Sequence, residues 1–252
     1  MIRLKNHDEI QRIKDSGDIL AELFTELKPL VEPGITTLEL DRFSRDFVER
    51  KGGKPAFLGH LDYPASLCAS VNNEVIHGIP GKRKLKSGDI IGLDFGVNYK
   101  GYISDAAITL PVGEISEQAR RLMRRTEEAL DLAIEAARGG ERIRDISTAV
   151  YNHARSAGFD VVREFCGHGV GFEVHEAPQI PNYIGKGPNP RLKEGMVLAI
   201  EPMINEGGPE IAILDDGWTV VTADGSLSAH FEHTIAVTRG GIEILTLGGG
   251  TR

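Results

Sequence analysis

Residues 89–111 read DIIGLDFGVNYKGYISDAAITLP and carry the clearest indication of the fold. Two runs rich in β-branched and aromatic residues flank Asn98-Tyr99-Lys100-Gly101, a combination that predicts a β-hairpin. Each run carries one acid in an apolar setting, Asp94 before the turn and Asp105 after it. Because position numbers in an antiparallel pair sum to a constant, a turn centred on Tyr99-Lys100 places the two acids directly opposite each other.

Two carboxylates in that register would have Cβ atoms about 4.5–5.5 Å apart and would repel each other. An unpaired acid inside an apolar strand is also costly to bury. A cation bound between Asp94 and Asp105 resolves both problems, so the hairpin predicts one half of a metal site. The alternative, taken from this pair alone, is a hairpin whose two acids face solvent.

Three further candidate ligands come later in the chain. His168 lies between Gly167 and Gly169, Glu201 ends an apolar run, and Glu232 lies inside another. Taken singly, each acid fits an edge strand that faces water, and His168 fits an ordinary loop. Four acids in apolar runs together with a glycine-framed imidazole instead favour two divalent ions about 3.5–4 Å apart. The oxygen-rich ligand set without thiolates suits Co, Mn, Fe or Zn.

Helical patterns surround the hairpin in the sequence. Capping residues begin two helices before it, at Asn6 and at Thr36, and we expect Pro33-Gly34 to end the first. Residues 117–138 and 141–156 predict two more helices, after which strands and loops alternate. Helices followed by strands thus occur twice, which hints at an internal duplication.

The composition indicates an ordinary globular protein of 252 residues, 40% hydrophobic and 26% charged. No composition break or long linker divides it, so we expect one α+β domain over residues 1–252, with glycines 248–250 as a frayed end. The net charge of −8 without a Lys/Arg cluster argues against nucleic acid or an anionic membrane as a partner.

Cysteine usage and hydropathy bear on location. Cys68 and Cys166 are too few for a disulfide framework and fit a reducing compartment. The N-terminal residues lack the apolar core of a signal peptide, and no run approaches the roughly 20 apolar residues of a membrane helix. We therefore expect a cytoplasmic protein with no membrane partner.

The order of candidate ligands resembles a known family. Asp, ten residues, Asp, then His, Glu and Glu is similar to the metal-binding set of the pita-bread metallopeptidases, and the local motifs resemble type I methionine aminopeptidase most. These motifs are VNNEVIHGIP at 71–80, CGHGVG at 166–171 with HEAP at 175–178, IEP at 200–202 and FEHT at 231–234. The resemblance extends over nearly the whole chain.

The resemblance implies a pita-bread (creatinase/aminopeptidase) fold, in which helices cover a curved antiparallel sheet built from pseudo-twofold halves. It implies removal of the initiator methionine from nascent proteins, by a metal-bridged water that attacks the first peptide bond. Asp94 would chelate one of two divalent ions, Asp105 and Glu232 would bridge both, and His168 and Glu201 would complete the second. The substrate would be the N-terminus of a nascent polypeptide near the ribosome, and the protein would be a monomer.

The resemblance also implies roles for side chains around the metals. Glu201 would shuttle a proton, whereas His77 and His175 would contact the substrate and His175 would steady the developing oxyanion. On its own, His77 fits a structural residue before a turn. The methionine pocket would be lined by Tyr63, Cys68 and Trp218.

Several positions depart from the family pattern. His60 replaces a frequent aromatic residue, Val174 replaces Phe, Ala106-Ala107 replaces Thr-Ser, and His230 replaces a common Gln. None of them removes a candidate ligand. We hypothesise that the methionine pocket is altered, either wider or more polar than in a typical member.

Two other functions fit parts of this pattern. An Xaa-Pro peptidase or creatinase-like enzyme shares the fold and ligands, but usually has an extra N-terminal domain, whereas this chain begins within about 60 residues of its catalytic motifs. A metal-free binding protein on the same fold would be expected to lose ligands, and all five are present. The spacing from His175 to Glu201 leaves no room for the long insertion of the type II enzymes.

Overall fold

The computed structural model describes residues 1–139 and 142–248. Its helices are α1 His7–Leu27, α2 Thr37–Arg50, α3 Glu117–Gly139 and α4 Ile143–Ser156. Its strands are β1 Lys54–Pro55, β2 Cys68–Val71, β3 Glu74–Ile76, β4 Ile90–Tyr99, β5 Tyr102–Pro111, β6 Asp160–Val161, β7 Cys166–Gly169, β8 Glu176–Pro181, β9 Val197–Ile200, β10 Met203–Asn205, β11 Ile211–Ile213, β12 Val220–Thr222, β13 Ser228–His230, β14 Glu232–Thr238 and β15 Gly241–Ile244.

The predicted helices are confirmed, with small changes at their ends. The Asn6 side chain accepts the N–H of Glu9 at 3.0 Å, and the Glu9 carboxylate accepts the N–H of Asn6 at 2.8 Å. This capping box satisfies two backbone donors at the start of α1. Helix α1 ends at Leu27 instead of Pro33-Gly34 and continues as a 3₁₀ turn, because Pro29 has no N–H to donate. Residue 141 of the predicted fourth helix and residues 249 and 250 of the predicted frayed end lie outside the described residues.

A nine-stranded antiparallel sheet joins the two halves of the chain. Its order is β1-β4-β5-β14-β9-β7-β8, with β2 also paired to β4 and β15 to β14. Helices α1 and α2 share one core with β2, β4 and β5, whereas α3 and α4 share another with β8, β9 and β14. The first half of the chain therefore meets the second where β5 pairs with β14. No helix in the described ranges is long and apolar enough to cross a membrane.

The predicted hairpin is confirmed as β4 and β5, but the predicted register is wrong. Tyr99 pairs with Tyr102, so the turn is Lys100-Gly101, with φ angles of 54° and 88°. A two-residue turn with both φ values positive matches the twist of the strands. Asp94 therefore lies opposite Ala107, and Asp105 lies two residues away on β5. Since side chains alternate with a period of two, this shift leaves both acids on the same face of the sheet.

Candidate metal centre

A row of paired residues crosses three strands at the middle of the sheet. Ala107 on β5 pairs with Asp94 on β4 and with Glu232 on β14. Directly paired residues project from the same face of a sheet, so the two acids flank a methyl group. Asp105 projects from that face as well, two residues along β5. The small side chain of Ala107 leaves the space between these three carboxylates open.

A second row, formed by later strands, runs beside the first. Ala199 on β9 pairs with His168 on β7 and with Thr234 on β14. Thr234 lies two residues beyond Glu232, so the second row projects from the same face as the first. Glu201 follows β9 directly, two residues after Ala199. The alternation of side chains along the strands thus brings all five candidate ligands to one face.

The glycines beside His168 are required by close packing. A Cβ atom on Gly167 would lie 2.5 Å from the carbonyl oxygen of Ala199, and one on Gly169 would lie 2.4 Å from that of Ala177. Any side chain at either position would collide with a neighbouring backbone. The glycines therefore let β7 fit between β8 and β9 with His168 turned toward the carboxylates.

The ring of His168 is oriented as a metal ligand requires. Its Nδ1 lies 2.9 Å from the carbonyl oxygen of Gly169, which can only accept, so Nδ1 carries the proton. Nε2 is then bare, and it lies 3.4 Å from Glu201 Oε1 and 4.0 Å from Asp105 Oδ2. Burial lowers the pKa of His168 to about 3, which keeps the imidazole neutral at pH 7.

The carboxylates form a buried cluster, and no lysine or arginine among the described residues forms an ion pair with them. Burial raises the pKa of Asp105 to about 7, and burial followed by repulsion from neighbouring acids raises the pKa of Asp94, Glu201 and Glu232. In the part of the chain that the structure describes, Asp94 Oδ1, Asp105 Oδ1 and Glu232 Oε1 are buried without a hydrogen-bond partner. Because buried polar atoms normally have partners, these oxygens fit a bound cation.

The ligand atoms also lie close enough to share ions. Those of Asp105, His168 and Glu232 all lie within 4.8 Å of one another. Carboxylates with one neutral imidazole form a ligand set that divalent metals accept. The donor set, its burial and its unpartnered oxygens together fit divalent metal binding.

A cavity of about 680 Å³ opens above this cluster. It is lined by all the residues that the sequence predicted for the site: Tyr63, Cys68, His77, Asp94, Asp105, His168, His175, Glu201, Trp218 and Glu232. The structure therefore places the predicted pocket and the predicted ligands on one cavity.

The cavity wall next to the acids is largely aromatic. The rings of Tyr63 and Trp218 meet edge to face with centroids 5.0 Å apart, and His77 meets Trp218 at 6.1 Å. Cys68 pairs with Asp94 across β2 and β4, which puts its thiol beside the carboxylates. Burial raises the pKa of Cys68, so the thiol stays protonated. This wall offers an apolar, polarisable surface to a substrate side chain.

Two histidines contact the site in ways that the sequence did not predict. His60 Nε2 lies 3.2 Å from Nδ1 of His175. His230 Nε2 is buried without a hydrogen-bond partner among the described residues and lies 3.6 Å from Glu201 Oε2. Both had been noted only as departures from a family pattern. His230 lies two positions before Glu232, and this strand-like spacing could have placed both side chains on the same side. The irregular loop around His60 has no such pattern from which its contact could be predicted.

Comparisons with known proteins agree with this geometry. The sequence pattern that defines Metallopeptidase family M24 matches residues 11–239. A methionine aminopeptidase of Clostridium perfringens is 53% identical over 247 residues, which cover 98% of this chain and 99% of the relative. The crystal structure of a methionine aminopeptidase from Thermotoga maritima superposes with a TM-score of 0.94 at 44% identity, covering 98% and 99% of the two chains. A prolidase from Pyrococcus furiosus gives a TM-score of 0.80 at 25% identity, covering 99% of this chain and 66% of that one.

Proposed function

This chain belongs to metallopeptidase family M24, and we propose that its metal centre removes N-terminal methionine from proteins and peptides. The predicted family and the pita-bread fold are both confirmed. Prolidases share the fold, but the similarity to them is weaker and covers only part of their length. The function predicted from the sequence therefore stands ahead of its Xaa-Pro alternative.

The buried carboxylate oxygens without partners carry the proposal of metal dependence. We propose that Asp94, Asp105, His168, Glu201 and Glu232 would hold two divalent ions. Bound there, such ions supply Lewis acidity that activates water and polarises the peptide carbonyl. The neutral Nε2 of His168 and the negative carboxylates match what these ions require of their ligands.

The residues of the chain itself select and orient the substrate. Tyr63, Cys68 and Trp218 surround the methionine side chain, whose sulfur contacts aromatic rings favourably. Burial lowers the pKa of His77 to about 4, so this residue meets the substrate as a neutral imidazole. His175 donates to the carbonyl oxygen as negative charge develops on it. The carboxylate of Glu201 carries the proton from the attacking water to the leaving amine.

The substrate and the assembly are also part of the proposal. The cavity mouth is open to solvent at Leu61, which is 72% exposed, so a polypeptide can extend outward from its bound first residue. We propose the N-termini of nascent polypeptides near the ribosome as substrates. We also propose that the chain acts as one catalytic domain, because the direct pairing of β5 with β14 unites both halves, and that it acts as a monomer.

The decisive experiment uses enzyme that has been chelated and then refilled with Mn²⁺, Co²⁺, Fe²⁺ or Zn²⁺. Release of methionine alone from Met-Gly-Met-Met, restored by metal and absent after chelation, is the expected result. Cleavage only of Ala-Pro-type peptides would assign the Xaa-Pro activity instead, and no cleavage with any metal would favour a binding protein.

A panel of Xaa-Gly-Met peptides tests the altered pocket that the departures suggest. Cleavage of residues other than methionine at a substantial rate is expected if the pocket is wider or more polar. A methionine preference equal to that of a typical family member would contradict the hypothesis.

Titration calorimetry of the chelated protein with a divalent metal measures how many ions bind, and so distinguishes two bound ions from one.

A further inference from the structure

The loop that follows β1 lines the cavity and contacts His175. His60 Nε2 lies 3.2 Å from Nδ1 of His175, with ring centroids 5.2 Å apart. The ring of His175 also meets that of His168 edge to face, with centroids 4.5 Å apart. His175 therefore contacts both a candidate metal ligand and a loop histidine to which no catalytic role has been given.

The backbone beneath His175 is already held, which leaves only its ring to be positioned. The next residue, Glu176, forms a buried ion pair with Lys5 at 2.7 Å, and its second oxygen accepts the N–H of Phe172 at 2.7 Å. These contacts fix the main chain. They do not set which nitrogen of His175 carries the proton, so that depends on the partner of Nδ1.

A neutral imidazole carries one proton, and the site determines where it must be. Nδ1 of His175 is occupied by His60, so Nε2 is the nitrogen left to meet a ligand in the cavity that His175 lines. A donor to a substrate carbonyl oxygen must have its proton on that nitrogen. Nδ1 must then accept, and the Nε2–H of His60 is the group in place to donate to it.

We propose that His60 is a positioning residue that donates its Nε2–H to Nδ1 of His175 and thereby fixes His175 as the tautomer with its proton on Nε2. The inference rests on the proposed function, because it is the donation by His175 that gives the tautomer its importance. His60 itself touches neither the substrate nor the metals in this role.

The backbone of the loop is strained in a way that fits this role. Gly59, Leu61 and Asp62 have φ angles of 78°, 49° and 69°, so left-handed residues lie on both sides of His60. Leucine and aspartate adopt that conformation only at an energetic cost, because their Cβ atoms crowd the backbone there. The turn is closed by hydrogen bonds from the N–H of Gly59 to Tyr63 O and from the N–H of His60 to Phe57 O, both 2.9 Å. Strain of this kind persists where the surroundings hold a functional side chain in place.

The test compares His60→Phe, which keeps a ring without a donor, with His60→Gln, whose amide can donate from nearly the same place. ¹⁵N NMR of Zn²⁺-loaded enzyme with labelled histidine reports the tautomer of His175 directly, and a His175→Asn spectrum assigns its signals. We expect the Nε2–H form in the wild type and in His60→Gln, and a mixture of tautomers in His60→Phe. An unchanged tautomer in His60→Phe would overturn the proposal.

Kinetics provide the second readout. His60→Phe should lower kcat for Met-Gly-Met-Met about tenfold, the effect of one transition-state hydrogen bond, with KM nearly unchanged and most of kcat restored in His60→Gln. Leu58→Ala changes an exposed side chain in the same loop, so it controls for a general disturbance of the loop. Equal losses in Phe and Gln variants would overturn the proposal. A wild type that releases no methionine would refute the proposed function instead, and the NMR comparison would still decide the tautomer.

Discussion

Replacing Lys5 by methionine should destabilise the protein far more than an ordinary surface change. Lys5 Nζ lies 2.7 Å from Glu176 Oε2, and the two side chains are only 1% and 3% exposed. Lys5 also lies over the ring of Phe172, 5.2 Å from its centroid. Methionine fills a similar volume, so the main effect of the change is to leave the Glu176 charge buried without its partner.

The magnitude follows from that uncompensated charge. Glu176 cannot turn toward solvent easily, because its other oxygen accepts the N–H groups of Phe172 and Glu173 at 2.7 and 3.1 Å. Removing one member of a buried ion pair costs about 3–5 kcal/mol. For a chain of this size each kcal/mol lowers Tm by about 2–4 °C, so we expect Lys5→Met to melt about 6–20 °C lower.

Two further variants isolate the cause. Lys14 pairs with Glu243, but those side chains are 36% and 41% exposed, so Lys14→Met should cost about 0–1 kcal/mol. The double variant Lys5→Met/Glu176→Gln removes the stranded charge and should recover a large part of the lost stability. A double-mutant cycle built on these changes measures the coupling of the pair itself.

The assay is thermal unfolding followed by calorimetry at fixed pH and metal concentration. Lys5→Met should also raise KM or lower kcat, because His175 precedes Glu176 in the chain. Equal shifts of Tm for Lys5→Met and Lys14→Met would refute the reasoning. A double variant no more stable than Lys5→Met would show that the stranded charge is not the cause.

Three other predictions concern the acid cluster. Burial raises the pKa of Asp105 to about 7, above the value of about 3.9 in an unfolded chain. The contribution of Asp105 to the free energy of unfolding of the chelated protein should therefore be greatest below about pH 4 and should be lost as the pH rises toward 7. The gain in Tm from added Zn²⁺ should then grow between about pH 5 and 7. A gain in Tm that does not depend on pH would contradict this. Glu232→Gln should weaken metal binding in titration calorimetry by more than the roughly 10–100-fold that follows loss of a partner outside the ligand shell. Glu243→Gln, which changes a half-buried residue that does not line the cavity, should bind metal as the wild type does. Thr234→Val should cost about 1–3 kcal/mol by leaving backbone groups of Asp105 unpaired, and Thr234→Ser, which keeps the hydroxyl, should not; equal losses in unfolding experiments would rule this out.

Local signals in the sequence predicted the fold well. The capping boxes at Asn6 and Thr36 form as expected, because their hydrogen bonds join residues three positions apart. The hairpin was recognisable from its composition, but the turn was misplaced by one residue. Asn98 suggested an earlier turn, whereas its side chain instead accepts the N–H of Gly101 at 3.0 Å and supports a Lys100-Gly101 turn.

The choice of candidate ligands was insensitive to that error. Moving the turn changed the sum of paired positions from 199 to 201, and an even change keeps every side chain on its face. An odd change would have put Asp94 and Asp105 on opposite faces. Contacts between segments that are distant in the sequence and irregular in structure cannot be predicted from this alternation of side chains. The pair of Lys5 and Glu176 joins residues 171 positions apart, and the loop at His60 follows no periodic pattern.

The position of the site at the junction of the two halves has a structural cause. Strands β5 and β14 share only two pairs in register, Glu232 with Ala107 and His233 with Ala106. Beyond one end, the hydroxyl of Thr234 donates to the carbonyl oxygen of Asp105 at 2.7 Å and accepts its N–H at 3.0 Å. A side chain thus replaces the direct ladder bonds at the position of a candidate bridging ligand.

The same arrangement recurs at the other end of the junction. The hydroxyl of Thr109 donates to the carbonyl oxygen of His230 at 2.7 Å and accepts its N–H at 2.9 Å. Each half therefore contributes one threonine that bridges to the backbone of the other, and both pairs of positions have the same sum as Ala107 with Glu232. Since Asp94 and Asp105 come from the first half and the other three candidate ligands from the second, the metal site is complete only when the halves are joined. Divalent ions bound there would stabilise a junction that has few backbone bonds of its own, so metal binding and docking of the halves are thermodynamically linked.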